Sequence, residues 1–153
     1  MTQKITANLW FPGNADEAVD YYVSVFPNSA VVSRERYPDS AEDGLADFQL
    51  ELAGKTLVVT FDLDGTRFVA INAGPEFGFT EAVSFSVDCK DQDEIDYYWA
   101  ALSAVPEAEQ CGWCKDRYGL SWQVVPANMG ELMQRPQAFA RLMEMKKIVI
   151  SDF

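Results

Sequence analysis

The sequence contains no histidine. That removes the commonest general base at neutral pH and the commonest transition-metal ligand, and with them a Ser-His-Asp type of nucleophilic site. Cysteine is scarce and odd in number, three in all, so a disulfide framework is excluded. The opening MTQKITANLW lacks the charged and then apolar pattern of a secretory leader. No apolar run approaches the ~18–20 residues that span a bilayer. Basic residues are half as numerous as acidic ones, 12 against 24, for a formal net charge of −12. Such a surface repels phosphate backbones and anionic lipid, which argues against nucleic acid and membrane as partners. Together these features describe a cytoplasmic protein with reduced thiols.

What is present is a globular composition. Hydrophobic residues make up 48% and charged residues 24% of 153, enough to bury the core of a single domain spanning residues 1–153. The strongest pattern is an internal repeat. LWFPGNADEAVDYYVSVF at residues 9–26 lies over FSVDCKDQDEIDYYWAAL at residues 85–102, 76 positions on. Val19-Asp20-Tyr21-Tyr22 matches Ile95-Asp96-Tyr97-Tyr98, and Leu9, Phe11 and Phe26 match Phe85, Val87 and Leu102. A strand, an acidic turn and an apolar helical stripe recur together, which points to duplication of a half-length unit.

Each copy begins with a period-two strand, Ile5 to Phe11 and Val83 to Val87. A helix follows, capped by Asn14 or Asp91, with apolar faces Ala15, Ala18, Tyr22, Val25, Phe26 and Ile95, Tyr98, Trp99, Leu102. Carboxylates crowd both first turns (Asp16, Glu17; Asp91, Asp93, Glu94), where the helix dipole favours them, so they read as solvated helix starts rather than catalytic pairs. Ala30–Tyr37 is extended, Pro38–Gly44 a polar loop, and Ala46–Leu52 alternates like a strand. Thr56–Leu63 and Thr66–Asn72 form a hairpin around Asp64-Gly65, a pair that supplies the positive φ of a tight turn. The second half continues with strands at Gln110–Cys114 and Leu120–Val125, helical pieces near Met129–Gln134 and Gln137–Lys146, and a β-prone Ile148-Val149-Ile150. The expected class is α+β: two βαβββ-type modules, about 4–75 and a shortened 80–126, forming a cupped mixed sheet, with a C-terminal helical appendage at 127–153.

Several segments now form a wider likeness: Leu9-Trp10-Phe11-x-Gly13, Phe26-Pro27-Asn28-Ser29, Ala70-Ile71-Asn72-Ala73-Gly74-Pro75-x-Phe77, and Glu81-Ala82-Val83-Ser84-Phe85. Gln110-Cys111-Gly112-Trp113, Asp116, Gly119-Leu120-Ser121-Trp122-Gln123-Val124-Val125-Pro126 and Met145-Lys146-Lys147 extend it. With these the chain resembles the PhnB-like, 3-demethylubiquinone-9 3-methyltransferase-domain branch of the vicinal oxygen chelate superfamily (glyoxalase, bleomycin-resistance and dioxygenase proteins). Only residues 38–55 diverge. The resemblance implies paired βαβββ modules whose concave face holds the active site, and a homodimer. It also implies that the superfamily's metal positions fall near Thr6, Asn72, Ala82 and Gln123. Alanine cannot ligate a metal, and a hydroxyl with two amides and no carboxylate holds one poorly, so no metal and no cofactor are expected.

The motif Cys111-Gly112-Trp113-Cys114 has the spacing of a thiol–disulfide centre but sits on an expected strand rather than a helix start, which favours packing over redox chemistry. Zinc is disfavoured with no histidine and no second such pair. No glycine-rich strand-to-helix loop announces a nucleotide or S-adenosylmethionine site. Strand alternation instead places Thr6, Asn8, Trp10, Phe68, Asn72, Ser84, Ser121 and Gln123 on the face away from the helices. Leu9, Phe85, Trp122 and Val124 fall beneath the helices. The first group mixes small, amide, hydroxyl and aromatic side chains without a charge, which fits small-molecule binding better than acid–base catalysis. The alternatives are an enzyme acting on an aromatic or quinone-like substrate, and a dimeric structural domain with an empty cup.

Overall fold

The structure is a computed structural model that describes residues 2–153. The chain divides into two compact units, one ending at Gly78 and the other running from Phe79 to Phe153. Both are α+β and each holds one mixed sheet.

The first unit contains β1 (Ala7–Phe11), α1 (Ala15–Val25), β2 (Ala30–Arg36), β3 (Thr56–Leu63) and β4 (Thr66–Asn72), with sheet order β1-β4-β3-β2. β1 and β4 are parallel, and Leu9 lies beside Ala70 and Phe11 beside Asn72. The β3–β4 hairpin turns on Asp64 and Gly65, at φ 45° and 80°, the conformation that Asp-Gly supports at least cost. One sheet face carries Leu9, Phe11, Val59, Phe61, Phe68 and Ala70, all buried with Ala15, Ala18, Val19, Tyr22 and Val25 of α1. The Phe61 and Phe68 rings stack at 5.6 Å. The edge strand β2 is mostly exposed and carries Arg34, Glu35 and Arg36, charges that discourage pairing with another chain.

The second unit contains β5 (Ser84–Cys89), α2 (Gln92–Leu102), β6 (Trp113–Lys115), β7 (Ser121–Pro126), α3 (Met129–Leu132) and α4 (Ala138–Met143). Its order, β5-β7-β6 with β5 and β7 parallel, repeats that of the first unit without a counterpart of β2. The duplication read from sequence is therefore present in topology. The paired tyrosines recur too: Tyr21 and Tyr22 stand 5.4 Å apart, Tyr97 and Tyr98 4.9 Å. Trp122 is buried against Phe85 at 5.8 Å, and its indole N–H donates to the buried Asp116 carboxylate at 2.9 Å. The other Asp116 oxygen accepts from the Tyr118 and Leu120 amides, so this carboxylate ties the turn before β7 to β7 itself.

Three local expectations are corrected. Ala46–Leu52 is not a strand; Asp47–Leu52 winds as a 3-10 turn, held where the Gln49 side chain accepts from the Ala46 amide at 3.1 Å. The strand expected at Gln110–Cys114 is broken by a tight turn with Cys111 and Gly112 at φ 54° and 85°, leaving only Trp113–Lys115 extended. A Cβ on Gly112 would stand 2.8 Å from Ile148 and 3.0 Å from the Val124 carbonyl, so this turn needs glycine for space as well as φ. Ile148-Val149-Ile150 forms no strand; Ile150–Asp152 is another 3-10 turn. Residues 127–153, which carry α3 and α4, belong to the second unit, with Leu132, Ala138, Met145, Ile148 and Phe153 buried. The Gln92 side chain clasps the tail, donating to the Ile148 carbonyl at 2.9 Å and accepting from the Ile150 amide at 2.8 Å.

Candidate functional site

β4 ends at Asn72 and continues through Ala73 and Gly74 past the end of β1, held by the Ala73 amide donating to the Phe11 carbonyl at 2.9 Å. Trp10, on the face of β1 away from α1, reaches this segment and donates its indole N–H to the Gly74 carbonyl at 2.8 Å. Phe77 sets its edge on the Trp10 ring at 4.8 Å and 77°. Tyr37, just past β2, is buried and donates its hydroxyl to the Asn72 carbonyl at 2.6 Å. The 3-10 turn at Asp47–Leu52 faces this corner and brings Phe48, Gln49, Glu51 and Leu52. Between them lies a cleft of about 640 Å³, with Leu57, Ile71 and Ala73 among its lining and Glu76 at its border. Its volume falls in the range of small-molecule sites, and its lining is mainly apolar with a few polar groups.

The electrostatics are one-sided. The Glu76 carboxylate is folded back onto Gly74, so that a Cβ there would lie 2.5 Å from both its oxygens. Burial, with the negative charge of Glu76 added, holds the Tyr37 phenol above the usual tyrosine range. Among the described residues that line the cleft, none is lysine or arginine.

Of the residues expected to bind ligand, Trp10 alone lines this cleft. Asn8 is exposed on β1 and Thr6 is half-buried just before it. Phe68 and Asn72 require correction. In β4 they alternate with Val69 and Ile71 and lie beside Ala7 and Phe11, so they belong to the buried face that packs on α1. Both ends of the Asn72 amide are used inside the fold: Oδ1 accepts from the Ala15 amide at 3.1 Å, and Nδ2 donates to the Thr56 carbonyl at 2.9 Å. The sheet face away from α1 carries Trp10, Val69 and Ile71 instead.

In the second unit, Ser84, Ser121 and Gln123 share the face opposite Trp122, as strand alternation requires. Gln123 Nε2 donates to Ser84 Oγ at 2.9 Å. Ser121 is buried and its hydroxyl has no partner among the described residues. Lys115 joins this face opposite Ser121 and pairs with Glu81.

The superfamily's metal does not fit these residues. Because β1 and β4 run parallel, the start of β1 lies beside the start of β4, and Asn72 sits beside Phe11 at the far end. Thr6 and Asn72 are thus separated by about 16 Å of strand, at roughly 3.3 Å per residue. Asn72 is fully engaged, Ala82 has no donor, and Gln123 is bonded to Ser84. Among the described residues no cluster of His, Cys, Asp and Glu has the makings of a metal site.

Cys89 and Cys114 are buried, and burial pushes both thiols up to about 12, with acidic neighbours adding to the effect. A thiol held protonated is a poor nucleophile, and the motif opens in a turn that leads into β6 rather than at a helix N-terminus, which favours packing for Cys114. Sequence reasoning missed Tyr37, Phe48, Glu51 and Glu76. The first three lie in or beside the divergent segment 38–55, and the only legible signal there, Phe48-x-Leu50-x-Leu52, imitates a strand.

The order β1-β4-β3-β2, repeated without its edge strand in the second unit, places the protein among glyoxalase-like proteins. More narrowly, residues 3–125 match the family model for 3-demethylubiquinone-9 3-methyltransferase, and the chain belongs to that PhnB-like family. A PhnB protein from Bacillus cereus carrying a provisional label of that name is 34% identical, with a TM-score of 0.62 over 80% of this chain and 99% of its own. Protein PA1353 from Pseudomonas aeruginosa is 20% identical, with a TM-score of 0.60 over 82% of this chain and 98% of its own, a likeness of fold alone. No curated protein matches the sequence. No described helix is long and apolar enough to cross a membrane.

Proposed function

We propose that this chain is a small-molecule binding protein that works without a metal and seats its ligand in the cleft beside Trp10. The observation that carries this is the cleft itself: about 640 Å³, lined by Trp10, Tyr37 and, at its exposed edge, Phe48. Trp10 is fixed by its bond to Gly74, so it presents a preorganised apolar surface rather than a mobile one. The donor chemistry at Thr6, Asn72, Ala82 and Gln123 supports metal-free binding. A methyltransferase reaction on an aromatic substrate, as the family label suggests, lacks support from the strand-to-helix connections. These are Pro12-Gly13-Asn14 and Lys90-Asp91, neither a glycine-rich cradle.

Isothermal titration with neutral naphthylmethanol and its trimethylammonium analogue tests the reading. Binding of at least one is expected, and Trp10→Ala should weaken it roughly tenfold or more through loss of the stacking surface. Gln123→Ala tests whether the second unit's polar face also contributes. Turnover of any aromatic compound, or affinity indifferent to Trp10, would overturn the proposal. The resemblance also leads us to propose a homodimer in a cytoplasmic setting, and light scattering that gives the 17.1 kDa of one chain would refute the dimer.

A further inference from the structure

We infer that the occupant of this cleft is an organic cation, an aromatic or amphiphilic ammonium compound. The inference rests on the cleft being the binding site and concerns its chemical preference. Three aromatic side chains (Trp10, Tyr37 and Phe48) and two carboxylates, Glu51 and Glu76, line a space that no lysine or arginine borders among the described residues. A carboxylate ligand would meet two like charges with no counter-charge, and a neutral one would gain nothing from them. An ammonium ligand gains twice. The faces of electron-rich rings attract a cation, and the two exposed carboxylates at the border of the cleft add a solvent-screened attraction. Glu76 is exposed, and its carboxylate lies against Gly74, whose carbonyl holds the Trp10 indole. Charge and ring thus meet at the same residue, Gly74. Burial first, and the Glu76 charge second, raise the phenol of Tyr37, which lines the same cleft. An excess of acidic residues over the whole chain would draw cations toward the protein, and the cleft couples that field to aromatic faces.

Calorimetric titrations with naphthylmethyl-trimethylammonium, naphthylmethanol and naphthylacetate test this directly. The cation is expected to bind roughly tenfold more tightly than the alcohol, and the anion more weakly than either. Glu76→Gln combined with Glu51→Gln should bring cation and alcohol to within about twofold of each other. Glu107→Gln, in the second unit and outside the cleft, should leave the preference intact. Raising the salt concentration roughly tenfold should weaken the cation's binding and spare the alcohol's. If alcohol and cation bind equally and both depend on Trp10, the cleft stands as the site and the cation inference falls. If neither binds, both fall. If the cation binds but Trp10→Ala leaves its affinity unchanged, the attraction is a general surface effect and the inference is overturned.

Discussion

Asn72 joins the amide at the start of α1 to the carbonyl at the start of β3, and it does so from a buried position. Removing its side chain takes the partner from a buried donor, the Ala15 amide, and from a half-buried acceptor, the Thr56 carbonyl, the former worth about 1–3 kcal/mol when abandoned. Asn72→Ala should therefore lower the unfolding free energy by about 2–4 kcal/mol in urea titrations. Loss of under about 0.5 kcal/mol would mean that water replaces both bonds. The residue was read from sequence as a ligand contact, and the reason is instructive. In β4 both alternating sets are largely apolar, Phe68 and Ala70 on one side and Val69 and Ile71 on the other. Hydrophobic alternation cannot assign such a strand to a face, because a strand covered on one side and lined by a cleft on the other has no polar side to betray it. On β7 the assignment was legible, since Trp122 and Val124 contrast with Ser121 and Gln123.

At the scale of elements, α1 and α2 descend from one pattern but begin differently. Asp91 caps α2 by accepting from the Glu94 amide at 3.0 Å, and the Glu94 carboxylate accepts from the Lys90 amide, one residue before the cap, at 2.8 Å. Asn14 makes no such side-chain cap; its Oδ1 is buried without a partner among the described residues, and the first amide of α1 is met by Asn72 instead. Both residues look like N-caps in sequence, and only one acts as such. Asp91→Ala should cost about 1 kcal/mol of stability and Asn14→Ala close to none. Equal losses in thermal denaturation would contradict the division of roles. Elements with a local cause were legible: the Asp64-Gly65 hairpin, whose turn chemistry is complete in two residues, and the helical stripes. Elements decided by distant partners were not. The turn at Cys111-Gly112 depends on its amides donating to Met145 and Lys146 carbonyls at 2.8 Å, more than thirty positions away. The aromatic wall at Phe48 depends on a 3-10 turn whose residues alternate as a strand would.

Across the whole chain, the excess of acidic over basic residues shapes the response to alkali. Cys89 is raised by burial with Glu94, Asp88 and Asp91 adding to it, Cys114 by burial with Asp116 and Glu109, and Tyr37 by burial with Glu76. In each case the ionised form would add negative charge to negative surroundings. An unfolded thiol near 9.0 releases its proton well before a folded one held to about 12. Between those values the native state binds more protons than the unfolded state, so stability is fully present below pH 9 and falls as pH rises toward 12. Tyr37 acts in the same direction above its ordinary value of 10.0. Each buried thiol contributes a slope of up to about 1.4 kcal/mol per pH unit within its window. Denaturant titrations at a series of pH values from 8 upward should show this steepening decline. The combined variant Cys89→Ala and Cys114→Ala should be less stable than the parent at pH 8, through two small cavities, yet lose stability less steeply above pH 9. Parallel curves for parent and variant would show that the two thiols ionise as readily in the folded protein as outside it, and that the acidic surroundings exert no hold on them.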